Sequence, residues 1–209
     1  AVQLPPPAPG QRNQRRPQRP LRRSSENDGN KTFLVEKNKK RIITMPFDAF
    51  TLKHTVKELN FFVGGKINKI TQPSKEEIIF TVYAGGKTQK LILSTHAQNA
   101  RIGITNQEKE NPSVAPNFCM LLRKYLEGCK ISDACTIEGE RILELHFETM
   151  DEFSQKRSLC LCVELMGKHS NVILYDRETK IIIGCAHNVG PEKSRYRELQ
   201  GGLTYIYPP

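Results

Sequence analysis

The sequence predicts an α+β domain dominated by β structure, a sandwich or flattened barrel with two helices. Three observations support this fold class. Short apolar runs recur from Lys66 onward, and sharp turns between most of them favour antiparallel pairing. Two other segments carry apolar residues at the three- and four-residue steps of a helix face. No internal repeat of about 20 to 50 residues is present, so a repeat architecture is not expected.

The first helix is predicted over residues 48 to 63. Asp48 is a suitable N-cap, and the Gly64-Gly65 pair ends the segment. The apolar side chains that would share one face are Leu52, Val56, Leu59 and Val63.

Strands are predicted on both sides of a second helix. Three of them, at 66–72, 77–84 and 87–94, would form a β-meander, and a fourth run covers 100–105. Gly85-Gly86 supplies the positive φ of a tight hairpin turn. The second helix is predicted at 118–126, with its buried face on Phe118, Leu121, Leu122 and Tyr125 and its stop at Gly128. Five further strands are predicted at 130–137, 141–148, 157–166, 171–175 and 180–187.

Basic charge is concentrated at the start of the chain. The formal net charge is +10, but residues 1 to 44 hold 11 of the 32 Lys and Arg and 3 of the 22 Asp and Glu, which leaves +2 for residues 45 to 209. The first segment is rich in Pro, Arg, Gln and Asn and is predicted to be a disordered basic tail. It could be an RNA-contacting arm, a transit-like targeting segment, or the product of a start assigned upstream of Met45.

Several function classes find no support in the sequence. No run approaches the ~20 apolar residues of a membrane helix, and no secretory signal is evident, so we expect a cytoplasmic protein with no membrane association. Phosphate-loop, dinucleotide, hydrolase and zinc-protease motifs are absent, so we expect no catalytic residue, no metal site and no cofactor. The six cysteines lack CxxC spacing and are interpreted as reduced core residues rather than metal or disulfide positions.

Three charged segments could bind phosphate. Donors from Lys168 to Asn171 follow Gly167 in a polar turn, where they could hold a phosphate or cap the neighbouring strands. Glu140-Arg141 begins a strand, and its guanidinium could grip a phosphate or a base edge. Arg195 to Arg197 interleave a tyrosine with two guanidiniums, which suits stacking on a base. From the residues alone, the favoured interpretation of Lys168 to Asn171 is a structural connector, and that of Glu140-Arg141 is a solvated charge pair. For Arg195 to Arg197, a surface turn is as good an interpretation as a binding site.

Two long stretches, FCMLLRKYLEG at 118–128 and ELMGKHSNVIL at 164–174, carry a specific resemblance. Shorter matches lie at 47–50, 64–70, Gln72-Pro73, 90–94, His96, Asn111-Pro112, Tyr196-Arg197 and 202–209. Together they span residues 45 to 209 in family order. They resemble the N-terminal domain of the NFACT family, also called the RqcH/FbpA or fibronectin-binding protein A family.

The resemblance implies a fold similar to the N-terminal domain of the MutM/Nei DNA glycosylases, without their chemistry. It implies also that residues 45–209 are a fragment of a larger protein. That protein would bind a large ribosomal subunit, recruit a tRNA, expected to be an alanine tRNA, and support C-terminal alanine tailing of stalled nascent chains in ribosome quality control. The domain itself would contact tRNA and ribosomal RNA. The rival expectation is a surface adhesin that binds fibronectin.

The same resemblance favours a functional interpretation of the charged segments. The family's acid-arginine pair falls on Glu140-Arg141, where many bacterial members have Asp-Arg. Because glutamate is one methylene longer than aspartate, the resemblance does not establish which group the Glu140 carboxylate contacts. The candidate RNA-binding residues are Glu140, Arg141, Lys168, His169, Asn171 and Arg197, together with Arg123 and Lys124 on the side of the second helix that is expected to face outward.

Overall fold

The computed structural model describes residues 2–3, 56, 58–150 and 154–209. The tail predicted over residues 1 to 44 therefore lies outside the described residues, apart from two positions. The same holds for most of the helix predicted at 48–63. Its described part is helical at Val56, Glu58 and Leu59 and continues into a 3-10 turn, Asn60–Phe62.

Nine strands of the described residues form one antiparallel sheet in the order β4-β3-β2-β1-β5-β6-β7-β8-β9. Their bounds are β1 Lys66–Ser74, β2 Glu77–Ala84, β3 Lys87–Ser94, β4 Arg101–Thr105, β5 Lys130–Thr136, β6 Ile142–Met150, β7 Lys156–Glu164, β8 Asn171–Asp176 and β9 Ile182–Cys185. An α-helix, Asn117–Leu126, connects β4 to β5, and a 3-10 turn, Gly167–His169, lies between β7 and β8. The prediction of a strand-dominated α+β domain is confirmed.

Each half of the sheet is built from hairpins between consecutive strands. The β2–β3 ladder runs from Glu77↔Ser94 to Ala84↔Lys87. Gly85 and Gly86 close it with φ values of +54° and +77°, as a two-residue turn with positive φ at both positions requires. The two halves meet where β1 and β5 pair at Lys66↔Lys130.

The larger apolar core lies against one face of both halves of the sheet. Alternate side chains from β1 to β8 contribute to it, among them Ile67, Leu91, Leu145 and Leu161. The α-helix buries Phe118, Cys119, Leu122 and Leu126 in the same core. The predicted helix face is therefore rotated, because Cys119 and Leu126 are buried while Leu121 and Tyr125 are only partly so.

A second, smaller core lies on the other face of β6 to β9. Its members include Ile142, Cys162, Tyr175 and Tyr205. This face also carries two buried carboxylates, Glu144 at 6% and Glu164 at 0% exposure. The second core and these acids anchor the C-terminal segment of the chain.

All six cysteines lie within the described residues and are free thiols, four buried and two half-buried. None of the helices in the described part of the chain has both the length and the apolar character needed to cross a membrane. The similarity to the MutM/Nei glycosylase domain stays a prediction.

Candidate nucleic-acid interface

A pocket of about 830 Å³ lies beside the start of β6, the turn between β7 and β8, and the segment that follows β9. Its basic lining residues are Arg141, Lys168, His169, His187, Lys193, Arg195 and Arg197. Among the described residues that line it, none is acidic. We call this feature the basic pocket. It brings together three segments that are far apart in the sequence.

Four of the lysines and arginines that line the basic pocket face solvent. Arg141, Lys168 and Arg195 are exposed, and within the described residues none of the three forms an ion pair. Lys193 is exposed as well, and its Nζ donates to the Asn188 carbonyl over 3.2 Å. Because these charges lack acidic partners in the described residues, the pocket is a concentrated positive surface that attracts polyanions.

The turn between β7 and β8 has a backbone that directs Lys168 and His169 outward. Gly167 takes a φ of +59°, a conformation that favours glycine. The Ser170 backbone N–H donates to the Gly167 carbonyl at 3.1 Å, and the Ser170 hydroxyl accepts from the Met166 N–H at 2.9 Å. The turn is thereby closed on itself, which leaves the Lys168 and His169 side chains exposed.

Asn171 was predicted to bind RNA, but its side chain has a structural role within the domain. Its side chain is buried, and its Nδ2 donates to the His187 carbonyl at 2.7 Å. Its Oδ1 accepts from the backbone N–H groups of Val172 and His187, at 2.9 and 3.0 Å. The amide therefore joins the start of β8 to the segment after β9 and builds the pocket wall.

Arg197 forms the floor of the basic pocket rather than its open edge. Its Nη1 donates to Glu164 Oε1 at 2.7 Å and its Nη2 to Glu164 Oε2 at 2.6 Å. Nη1 also donates to the Ile206 carbonyl at 2.9 Å. Burial alone would lower the pKa of Arg197, but the bonds to Glu164 outweigh it and raise that pKa. The guanidinium thus stays charged and directed inward.

Tyr196 lies between these two arginines with 82% of its surface exposed. It lines the basic pocket beside Arg195, whose guanidinium carries an unpaired charge in the described structure. An exposed aromatic ring next to cations suits a nucleotide, because the ring stacks on a base while the cations contact phosphate.

Three predicted site residues do not line the basic pocket. Glu140 is exposed in the turn before β6, where its backbone N–H donates to the Ile137 carbonyl at 3.1 Å. Lys124 is exposed on the α-helix, with its Nζ 5.5 Å from the centre of the Tyr125 ring.

The third, Arg123, does not point outward as predicted. Its Nε donates to the Ile70 carbonyl on β1 at 2.8 Å, and the side chain is half-buried. The physical reason is the rotation of the helix, which turns Arg123 toward β1 and gives the guanidinium a backbone acceptor. Arg123 therefore ties the helix to the sheet.

Two basic residues of the pocket were not predicted. Lys193 lies two residues before the Arg195-Tyr196-Arg197 run, and this proximity in the sequence could have identified it as a candidate. His187 fell at the end of a predicted strand, whereas it lies beyond β9 with its Nε2 3.0 Å from Thr95 Oγ1. Burial lowers the pKa of His187, and the charge of Lys193 adds to that effect against the opposing charge of Glu76.

Comparison with known proteins supports one family. A family model described as "NFACT N-terminal and middle domains" matches residues 48–209. The Rqc2 homolog RqcH of Bacillus subtilis is 41% identical over 166 residues, which cover 79% of this chain and 29% of that protein. The Rqc2 homolog RqcH of Streptococcus suis is 40% identical over 166 residues, 79% of this chain and 30% of that protein. The chain thus spans about 30% of the length of these curated relatives.

Solved structures agree with this result. The N-terminal part of the fibronectin/fibrinogen-binding protein of Streptococcus suis matches with a TM-score of 0.75 at 40% identity, over 78% of this chain and 61% of that chain. The N-terminal domain of the fibronectin-binding protein PavA of Streptococcus pneumoniae matches with a TM-score of 0.75 at 38% identity, over 78% of this chain and 62% of that chain. The resemblance predicted from the sequence is confirmed, and the chain belongs to the NFACT N-terminal domain family.

Proposed function

We propose that this chain is the tRNA- and large-ribosomal-subunit-binding part of a cytoplasmic ribosome quality control factor. The whole factor would support C-terminal alanine tailing of stalled nascent chains. The observation that carries this proposal is the convergence of Arg141, Lys168, Lys193 and Arg195 on the basic pocket, whose described lining has no acidic residue. The relatives named Rqc2 homolog RqcH support the choice of the ribosome as partner.

RNA is the ligand class that this chemistry fits. Cations that replace the counterions of a phosphate backbone supply most of the sequence-independent affinity for a nucleic acid. The volume of the basic pocket, about 830 Å³, is within the range of roughly 300–1,000 Å³ of small-ligand pockets, so a nucleotide with its flanking phosphates would fit. Tyr196 adds a surface on which an unpaired base can stack.

The charge distribution favours RNA binding at the basic pocket alone. Residues 45–209 carry a net charge of only +2, since their 21 basic groups are nearly balanced by 19 acidic groups. The attraction to RNA would therefore come from the basic pocket and not from a field over the whole domain. We further propose that the domain binds without making or breaking bonds, so that peptide synthesis belongs to the ribosome.

The test is co-sedimentation of the 209-residue chain with purified large ribosomal subunits, paired with fluorescence anisotropy on labelled tRNA. The double variant Lys168→Glu/Arg195→Glu reverses two charges of the basic pocket, and we expect it to lose binding in both assays. The matched control, Lys75→Glu/Lys87→Glu, reverses two exposed lysines that do not line the pocket, one in the turn after β1 and one at the start of β3, and should bind normally. Failure of the unmodified chain to bind, or equal loss in both variants, would contradict the proposal.

A second candidate function is a surface adhesin that binds fibronectin. It is favoured by the names of the two solved structures, both described as fibronectin-binding. Protease treatment of intact cells separates the two candidates. A cytoplasmic factor is degraded only after lysis, whereas an adhesin is degraded in intact cells and also binds immobilised fibronectin.

A further inference from the structure

His187 differs from the exposed cations that surround it in the basic pocket. Its side chain is half-buried, and it lies two positions after the end of β9. The Asn171 side chain fixes both of its backbone groups. The His187 N–H donates to Asn171 Oδ1 at 3.0 Å, and the His187 carbonyl accepts from Asn171 Nδ2 at 2.7 Å. The imidazole is therefore attached to a fixed point of the pocket wall.

One ring nitrogen of His187 already has a partner outside the basic pocket. Nε2 lies 3.0 Å from Thr95 Oγ1, and Thr95 is not a residue of the pocket lining. The Thr95 hydroxyl can donate in turn to the Glu76 carbonyl, at 3.2 Å. Because a hydroxyl accepts one hydrogen bond while it donates another, a protonated Nε2 has an acceptor in place.

The second ring nitrogen, Nδ1, is open to a ligand. Nδ1 forms no hydrogen bond with any residue that the structure describes, and it is not one of their buried side-chain atoms without a partner. Since Nε2 is directed to Thr95, Nδ1 is the nitrogen that a ligand in the pocket can meet. A phosphodiester offers only acceptors, so it can bond to Nδ1 only when Nδ1 carries a proton and the ring is a cation.

Charged groups on the neighbouring elements act on this ring. Burial is the main reason that the pKa of His187 lies below its ordinary value of 6.5; the charge of Glu76 opposes burial, and that of Lys193 acts with it. His96, after β3, has its Nε2 3.8 Å from Glu76 Oε2 and shares that carboxylate. The other charged or titratable residues of the pocket lining are Arg141, Lys168, His169, Arg195, Tyr196 and Arg197. Without a ligand, His187 is therefore mostly neutral at pH 7.

We propose that His187 is a proton-linked phosphate ligand of the basic pocket, so that the pocket binds RNA more tightly as the pH falls. A phosphodiester oxygen would accept from Nδ1–H while Nε2–H donates to Thr95 Oγ1. The ring takes up one proton from solvent on binding, and no other bond is made or broken. This inference rests on the proposed function, because it places RNA in the same pocket.

The direction of the pH dependence follows from linkage. A bound phosphate stabilises the imidazolium, so the pKa of His187 is higher in the complex than in the free chain. The contribution of His187 to affinity is therefore complete below the free-state pKa and is lost as the pH rises through the bound-state pKa. Because one proton is taken up, affinity changes by at most about tenfold per pH unit, and we expect a total change of about three- to tenfold.

Nuclear magnetic resonance of the histidine rings in the 209-residue chain tests the phosphate site directly. Sulfate is the probe, because it resembles a phosphate group and its charge stays constant over the titration. Compared with chloride at the same ionic strength, sulfate should raise the pKa of His187. His96 and His146 do not line the pocket, and their pKa values should respond equally to the two salts. A pKa of His187 that is the same in sulfate and chloride would overturn the proposal.

Fluorescence anisotropy with labelled tRNA, at constant salt from about pH 5.5 to about pH 8, tests the link to RNA. Affinity for the unmodified chain should fall by about three- to tenfold as the pH rises. His187→Gln keeps a polar side chain that cannot become charged and should lose most of this dependence. His96→Gln, which removes an imidazole outside the pocket, is the matched control and should retain it. Thr95→Val removes the acceptor at Nε2 and should move the change in affinity to lower pH.

The outcomes separate this inference from the proposed function. tRNA affinity that is independent of pH, or an unchanged pH dependence in His187→Gln, would overturn the inference while RNA binding itself stands. Absence of tRNA binding at every pH would contradict the proposed function, and the sulfate response would then decide alone whether His187 is an anion ligand. Circular dichroism verifies that each variant is folded, and the measurements on the unmodified chain are decisive even if a variant is not.

Discussion

The Arg197 guanidinium holds the Glu164 carboxylate through two parallel hydrogen bonds of 2.7 and 2.6 Å. Glu164 is fully buried, and the Arg197 side chain is 11% exposed. The Tyr205 hydroxyl donates to Glu164 Oε1 at 2.9 Å, which further satisfies the carboxylate. The pair fixes the segment after β9 to the end of β7, and this attachment gives the basic pocket its floor.

Arg197→Ala should lower the free energy of unfolding by about 3–5 kcal/mol, because it leaves Glu164 charged and unpaired in the interior. Urea denaturation measures the change. The control is Arg195→Ala, two positions away and exposed, which should change stability by no more than about 0.5 kcal/mol while it weakens RNA binding. Equal stability of the two variants would show that the ion pair does not support the fold.

Glu144 should make stability depend on pH. Burial alone would raise the pKa of Glu144, but hydrogen bonds from His146, Tyr207 and Tyr175 outweigh it and lower that pKa from 4.5 to about 2. Because the folded-state value is the lower one, the stabilisation is complete above the unfolded pKa and is lost as the pH falls from about 5 to about 2. Its size is on the order of 3 kcal/mol.

The measurement for Glu144 is urea denaturation of the unmodified chain and of Glu144→Gln over that pH range. We expect the difference in unfolding free energy between the two proteins to shrink as the pH falls. A difference that stays constant with pH would contradict the assigned role of the carboxylate.

Gly65 should be intolerant of a side chain. A Cβ at this position would lie 2.8 Å from the Phe62 carbonyl oxygen, the Ala84 Cβ and the Val82 Cγ1. Gly65→Ala should therefore destabilise the domain by about 1–3 kcal/mol, as overpacking does. Gly103→Ala on β4 is the matched control, since a Cβ there meets nothing within 4 Å. Thermal melts of the two variants that coincide would refute the packing argument.

Tyr196 should contribute to RNA binding by stacking. Tyr196→Ala is expected to weaken binding of single-stranded RNA by about 1–3 kcal/mol, whereas Tyr196→Phe keeps the ring and should bind nearly normally. Fluorescence anisotropy gives the dissociation constants. Tyr83→Ala, which removes an exposed ring on β2 away from the basic pocket, should have no effect. Equal binding by Tyr196→Ala and Tyr196→Phe would exclude stacking.

Much of the fold could be predicted because local pattern and turn chemistry agree. The bounds of β2 and β3 were predicted correctly from their apolar runs and from Gly85-Gly86 between them. The prediction ended β1 at Gln72 before a proline, but the strand continues to Ser74 through an irregularity in its register. β9 begins later than predicted because Lys180 takes a φ of +59° in the connection after β8, and it ends at Cys185 instead of His187.

The candidate site was only partly accessible from the sequence. Exposed cations in polar turns, such as Arg141, Lys168 and His169, can be identified locally, and the structure places all three on the basic pocket. The inward role of Arg197 depends on an acid 33 residues away. The wall position of Asn171 depends on a backbone partner 16 residues away. Such long-range partners follow from tertiary packing, which sequence periodicity does not encode.

The most direct test of the RNA-binding account is the salt dependence of tRNA affinity for the unmodified chain and for Arg141→Ala, with Arg177→Ala as a charge-matched control outside the basic pocket. We predict affinity that falls as salt rises, a loss of about 1–3 kcal/mol in Arg141→Ala, and a salt slope smaller by about one. Arg177→Ala should behave like the unmodified chain. Affinity that is independent of salt, or the same loss in both variants, would contradict the account.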